Sequence, residues 1–251
     1  MHEILGTLPA GSRVLDLGCD EGSFPAGLTK AAVVRLDRDR PRERDAAFVQ
    51  GDAGQLPFAN GSFAAVISNH SLEHFVDLEA ALREIGRVIR PGGALFVAVP
   101  DASTVTDKIY RWLGRGGGHV NAFTSAEEVA RVVERTTGLR HAATRTLWSS
   151  LSFLNRKGAP RPLPKRLWLV GGGFEGVLRS YVRVSRWCDR VFGTRTGIYG
   201  WAYYFGDLAG RVETAPWRNV CIRCGSGFPD EAVGADRTYL CPRCGTRNPR
   251  V

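Results

Sequence analysis

Residues 14–24 read VLDLGCDEGSF, an apolar run that ends in aspartate and then turns through glycines at 18 and 22. A strand running into a glycine-rich turn and a helix is the pattern of a nucleotide cradle, and it commits the chain to an α/β arrangement. The turn also holds Asp16, Asp20 and Glu21. Three carboxylates beside a pyrophosphate would repel it at close range, which argues against an ordinary dinucleotide. The loop calls for an adenosine-like ligand that carries positive charge.

The segments that follow keep the same rhythm. SRVLDLG reads as a buried strand and SFPAGLTKA as the opening of a helix. AVVRLD (32–37), AAFVQGDA (46–53) and FAAVISN (63–69) read as further strands, and LEAALREIGRVIR (78–90) has helical periodicity. PGG is expected to stop that helix before a fifth strand, ALFVAVP (94–100). SAEEVARVVERTTG (125–138) is amphipathic, with Ser125 and Glu128 spaced as a capping box. Strands alternating with helices at this pace predict a Rossmann-like, doubly wound sheet. We expect seven strands, the sixth in HAATRTLWSSLSF and the seventh in IYGWAYYFG.

Near residue 150 the pattern weakens, and NRKGAPRPLPKR reads as a linker. The expected organisation is a cofactor-binding domain in 1–150 and 196–212, a basic helical insertion in 151–195, and a cysteine-rich module in 216–251. The net charge of +9 is uneven. Residues 1–150 hold 17 Lys/Arg against 18 Asp/Glu, whereas residues 151–220 hold 12 against 4. Any acidic partner is therefore sought in the C-terminal third. There, Arg179, Arg183, Arg186 and Arg190 fall on one helical face. Val177, Tyr181, Val184, Cys188, Val191 and Phe192 fall on the other, which fits a packing helix, a cap over an acceptor pocket, or a helix lying on an anionic membrane. No signal peptide or membrane span is legible, so a cytoplasmic protein is expected, with peripheral contact at the inner face of the membrane left open.

Four of the six cysteines stand as CIRC (221, 224) and CPRC (241, 244), sixteen residues apart. That spacing predicts a metal site rather than a disulfide framework. Cys221, Cys224, Cys241 and Cys244 would hold Zn2+ as four thiolates in a zinc ribbon, leaving no position for water, so the zinc is structural. So short a segment has too little core to fold alone, and the metal would supply the missing stability.

The Asp-x-Gly-x-x-x-Gly of residues 16–22 resembles motif I of the class I S-adenosylmethionine-dependent methyltransferases, and the resemblance runs through about residues 12–145. GDAGQLPF, FAAVISNHSLEHF, LREIGRVIRPGGALFVAVP and GHVNAFTSAEEV resemble later blocks of the small-molecule (type 11) branch. The resemblance implies that the last of the seven strands is antiparallel. It also implies a cofactor site formed by Asp16, Gly18, Cys19, Gly22, Asp37, Asp52, Ala53 and Asn69. Within it, Asp37 would accept the ribose hydroxyls, Asp52 would face the adenine amine and Ala53 would supply backbone. A sulfonium with an α-ammonium and no phosphate also suits the acidic loop.

Three histidines are candidates for a base on the acceptor side. His70 leaves the end of the fourth strand, the ligand edge of an open α/β sheet, and His119 follows the glycine-rich GRGGG. His74, expected at the start of the next helix, fits a structural role at least as well as that of a base. SNHS stands where relatives that methylate the amino groups of nucleic-acid bases carry Asn/Asp-Pro-Pro-aromatic. The leading expectation is methyl transfer to oxygen or carbon of a small-molecule or glycan- or lipid-linked acceptor. An RNA- or ribosome-directed enzyme gripping through the ribbon and the arginine stripe is the second reading. The third is a non-catalytic scaffold with a ribbon that contacts a protein partner.

Overall fold

The computed structural model describes residues 1–41, 45–113, 118–148, 175–208, 210–213, 219–221, 224–234, 238–245 and 247–250. Seven strands form the central sheet: β1 (Arg13–Leu17), β2 (Ala32–Asp37), β3 (Ala47–Gln50), β4 (Phe63–Asn69), β5 (Ile89–Pro100), β6 (His141–Trp148) and β7 (Ile198–Gly206). Their order is β3-β2-β1-β4-β5-β7-β6. β7 runs antiparallel to both β5 and β6, and the other neighbours pair in parallel. All residues of β1 except Arg13, and the first six of β4, are buried. Burial on both faces is why these strands read as continuous apolar runs rather than alternating ones. The order reverses between β1 and β4, and a crevice opens at the carboxyl ends of the strands there.

α1 (His2–Leu5), α2 (Leu78–Val88), α3 (Val105–Leu113), α4 (Ala126–Thr137) and α5 (Glu175–Phe192) are the described helices. Asp77 caps α2, its side chain accepting from Ala80 N at 2.9 Å. Ser125 caps α4 by accepting from Glu128 N. Each such cap is worth about 1 kcal/mol. Two expectations shift. The segment after β1 makes only a short 3-10 turn (Ala26–Leu28) behind Pro25, not a helix. α2 ends at Val88, and β5 already runs from Ile89 through Pro91-Gly92-Gly93. Pairing of Ile89 with Phe63 of β4 draws this stretch into the sheet.

The two faces of the sheet are covered differently. On one, α2 and α4 bury Leu82, Ile85, Val129 and Val133 against Leu15, Val66 and Leu95. On the other, Ile4 and Leu5 of α1 and Phe24 share a core with Phe96, Ala202 and Tyr204. Val220, Cys221, Cys224, Phe228, Tyr239 and Cys241 complete that core. These residues come from two short hairpins, β8 (Asn219–Val220) with β9 (Gly227–Phe228) and β10 (Thr238–Leu240) with β11 (Arg247–Pro249). The cysteine-rich segment thus stands on the sheet where a doubly wound fold places helices. Among the described residues, no helix is long and apolar enough to cross a membrane.

Candidate functional site

A cavity of about 640 Å³ opens at the reversal point. Its wall takes Gly18 and Asp20 from the loop after β1 and Asp37 from the end of β2. Asp52 and Ala53 come from the turn after β3, and His70, Ser71 and His74 from the turn after β4. Asp37 is pinned: Oδ2 accepts from Asp20 N at 2.8 Å and Oδ1 from Asp39 N at 3.2 Å. Asp52 Oδ1 accepts from Gly54 N at 2.7 Å, which closes the turn around it.

Two glycines shape the first loop for different reasons. Gly18 has φ +66°, and a Cβ there would stand 2.4 Å from the Cβ of Ser71. Its bareness lets the β4 turn close on the β1 turn, and Ser71 Oγ donates to Leu17 O at 3.0 Å. Gly22 has φ +111°, and a Cβ there would lie 2.6 Å from the guanidinium carbon of Arg35. It makes room for a buried arginine and lies outside the cavity wall. Arg35 binds Asp45 and the carbonyl of Phe24, and its Nε stands 3.4 Å from Asp16 Oδ2. Asp16, fully buried, also accepts from Ser23 N at 2.9 Å. Burial pushes its carboxyl up to about 6, against the pull of Ser23 and Arg35. The Cys19 thiol is pushed up to about 12, by burial first and then by the charges of Asp16 and Asp37, so it is inert at neutral pH. Asn69 ends β4 with its Oδ1 buried, behind the wall.

The histidines separate. His70 faces the cavity with φ +56°, a left-handed conformation that costs a non-glycine residue about 1–2 kcal/mol. Its amide donates to Ala98 O at 2.9 Å, and its ring packs edge-on to Tyr199 of β7 at 5.2 Å. His119 is not in the wall. Its Nδ1 lies 3.4 Å from Asp107 Oδ1, with 5% of the side chain exposed. The ring of His74 stands between, 4.9 Å from that of His119, with its Nδ1 3.0 Å from Gly118 O. Burial holds His74 below the usual histidine range. Burial works to raise Asp107, but hydrogen bonds from His119 and Arg111 outweigh it and keep the carboxyl low. Glu73, 1% exposed, is pushed up to about 8, chiefly by burial, with Asp107 adding to the rise. The sequence pattern leaves His74 open between a base and a structural role, and the structure sets it in the cavity wall; Glu73 and Arg35 are site residues that the pattern does not single out. The LEH triplet and a lone arginine inside an apolar strand are the signals that could find them.

Cys221, Cys224, Cys241 and Cys244 bring their four sulfurs within 4.8 Å of one another. The Cys221–Cys244 and Cys224–Cys241 separations are 3.6 and 3.7 Å. Four sulfurs each about 2.3 Å from one zinc would be about 3.8 Å apart, so the residues fit the ion. Each knuckle closes the same way, Gly225 N donating to Cys221 O at 2.8 Å and Gly245 N to Cys241 O at 2.9 Å. Asn248 Nδ2 points at Cys221 Sγ from 3.5 Å, as a donor to a thiolate would. With all four corners taken by sulfur, the centre is structural.

Residues 1–140 match a family described as a methyltransferase domain, and residues 219–246 match a zinc finger found in FPG and IleRS. A demethylmenaquinone methyltransferase of Beutenbergia cavernae is 42% identical over 105 residues, 38% of this chain and 43% of that protein. A malonyl-[acyl-carrier protein] O-methyltransferase of Methylococcus capsulatus is 29% identical over 210 residues, 73% of this chain and 76% of that one. The chain thus spans less than half of the first relative and about three quarters of the second. The solved SAM-dependent methyltransferase of Thermotoga maritima shares the fold, with a TM-score of 0.51 at 19% identity over 82% of this chain and 86% of that one. The protein belongs to the methyltransferase-domain family and carries a zinc-finger segment folded onto the same sheet.

Proposed function

We propose that the protein moves a methyl group from S-adenosylmethionine to an oxygen or carbon of a small-molecule acceptor, glycan- or lipid-linked. The reading rests on one observation: Gly18, Asp37, Asp52 and His70 converge on a single cavity, each from a different strand end. The cofactor, when bound there, supplies a methyl group already activated on a sulfonium, so the protein's main task is alignment. Asp37, held by two backbone amides, keeps lone pairs aimed into the cavity for the ribose hydroxyls. Asp52 and the backbone of Ala53 take the adenine end, and the carboxylate of Asp20 favours a cationic ligand. Asp16, Cys19, Gly22 and Asn69 stand one layer behind and set the shape of the loop. His70 holds the acceptor side and takes the acceptor's proton, its ring steadied by Tyr199. In this reading His119, against Asp107, positions the rim through His74.

We assign the methyltransferase domain to residues 1–150 and 196–212, the insertion to 151–195 and the ribbon to 216–251. The relatives named for demethylmenaquinone and for malonyl-[acyl-carrier protein] support a small or carrier-linked acceptor. The surface of α5 supports a lipid-linked one. The side that faces the protein carries Asp189, which accepts from Thr196 N and Gly197 N, both at 2.6 Å, and Arg186, which lies over Trp148. The side that faces out mixes apolar and basic residues, with Val184, Trp187, Val191 and Phe192 each more than half exposed beside exposed Arg183 and Arg190. Of the three roles open to this helix, the exposure of those four side chains favours the one at a lipid surface. Apolar side chains among arginines complement an anionic lipid surface. Such a membrane, at its cytoplasmic face, is our proposed partner.

The test is calorimetry with S-adenosylmethionine on wild type and Asp37→Ala. A charged acceptor lost from two hydroxyls should cost about 1.5–3 kcal/mol, roughly 10- to 150-fold in affinity. Incubation with methyl-labelled cofactor and a lipid extract should then yield an organic-soluble labelled product that His70→Ala makes more slowly. Equal affinity in Asp37→Ala, or label found in RNA alone, overturns the reading.

A further inference from the structure

Glu73, His74 and His119 each offer a ligand atom within 4.8 Å of the others, and nothing in the cofactor site accounts for the grouping. Glu73 is 1% exposed, and its Oε2 has no hydrogen-bond partner among the described residues. A buried carboxyl in that state either keeps its proton or ionises against a cation that meets it. Asp107 adds a second carboxylate, 3.4 Å from the His119 ring, while Arg111 pairs with the far oxygen of Asp107 at 2.5 Å. Ionised together, as a bound cation would hold them, these two carboxylates would exceed the charge of the one guanidinium beside them. Two imidazoles and a carboxylate are a ligand set for a divalent transition metal.

We propose that Glu73, His74 and His119 bind a divalent metal ion of the zinc class at the rim of the cofactor cavity, separate from the four-cysteine centre. Ligand atoms about 2.0–2.2 Å from one ion sit about 3–4 Å apart, so the three must close by about 1 Å. His74 is exposed and can rotate to do so. Three protein ligands leave a coordination position open, and His74 and Gly118 both line the cavity, so that position faces the acceptor's side. An acceptor hydroxyl bound there would have its pKa lowered and give up its proton more readily to His70. This use of the ion rests on the methyl-transfer reading above. Its binding does not.

The experiment uses full-length protein with the ribbon filled by one equivalent of zinc, then titrated with Co2+ alone. A second equivalent should bind with visible d–d absorption and without the thiolate-to-cobalt charge-transfer band. His74→Ala and Glu73→Gln should weaken it at least about tenfold, a loss of ligand being no milder than loss of an outer partner. Because Glu73 is buried, the exposed His74 carries the decision if the Glu73 variant fails to fold. A wild type that takes up no second equivalent, or a His74→Ala variant with unchanged Co2+ affinity, overturns the site. Calorimetry with S-adenosylmethionine on the same samples separates the two readings. Cobalt bound without cofactor affinity keeps the site and removes the methyl-transfer role, and cofactor affinity without cobalt does the reverse.

Discussion

Gly225 in the first cysteine knuckle lies on Ala202 of β7, so close that a Cβ added to Gly225 would come within 3.2 Å of the alanine Cβ. Arg145 of β6 clamps the same contact, donating to Gly225 O at 3.1 Å and to Tyr204 Oη at 3.2 Å while binding Glu3 of α1. The zinc centre and the sheet therefore share one core. The expectation from the sequence is a metal-held segment whose unfolding leaves the rest of the protein intact. The shared core instead predicts that Cys241→Ser loses the ribbon metal, lowers the melting temperature of the whole protein by more than about 5 °C and weakens S-adenosylmethionine binding. Elemental analysis, a thermal melt and calorimetry on one sample check it. An unchanged melt with the metal gone would mean that the ribbon only rests on the sheet.

Gly22→Ala should destabilise the fold by about 1–3 kcal/mol, because φ +111° is strained for alanine and the new methyl meets the Arg35 guanidinium. Urea melts measure it. In an Arg35→Ala background the steric part disappears, so the added cost of Gly22→Ala should shrink. Equal costs in both backgrounds would show that the strain lies in the backbone alone.

The Asp16 carboxyl, raised to about 6 by burial, has its ordinary value at 3.8. A raised carboxyl keeps its proton in the folded state where the unfolded chain has lost it. Its stabilising share is full below pH 3.8 and is lost as the pH rises through 6. That share is about 3 kcal/mol at most, because a tenfold change in proton affinity corresponds to about 1.4 kcal/mol. Asp16→Asn should flatten the decline in stability between about pH 4 and 6, and denaturant melts across that range read the difference. Parallel curves for variant and wild type would mean that Arg35 holds the group charged throughout.

α5 predicts behaviour at a lipid surface. Wild type should co-sediment with vesicles containing anionic lipid at low salt, and less as salt screens the arginines. Trp187→Ala and the pair Arg183→Glu, Arg190→Glu should each release it. Retention on neutral vesicles alone would assign the contact to Trp187, Val191 and Phe192 without the charges. A dimer in solution and no vesicle binding would instead give this face to a second copy of the chain.

Runs such as VLDLG and FAAVISN, with the capping residues Asp77 and Ser125, announce strands and helices because backbone preference and periodicity are local properties. The sequence alone marked the strands of the sheet and four cysteines at metal-ligand spacing, and it singled out the acidic glycine-rich loop as a candidate cofactor site. A strand's burial on both faces or a ligand's spacing is written in consecutive residues. Only the tertiary structure decided that Gly22 makes room for Arg35, 13 positions on. It alone placed the ribbon on the face of the sheet that carries α1, and turned Val184, Trp187, Val191 and Phe192 of α5 outward. It also brought Glu73 and His74 to His119 across some 45 positions of chain. Those relationships arise where distant segments pack, and their physical cause is complementary volume and charge across space, which a linear pattern does not carry.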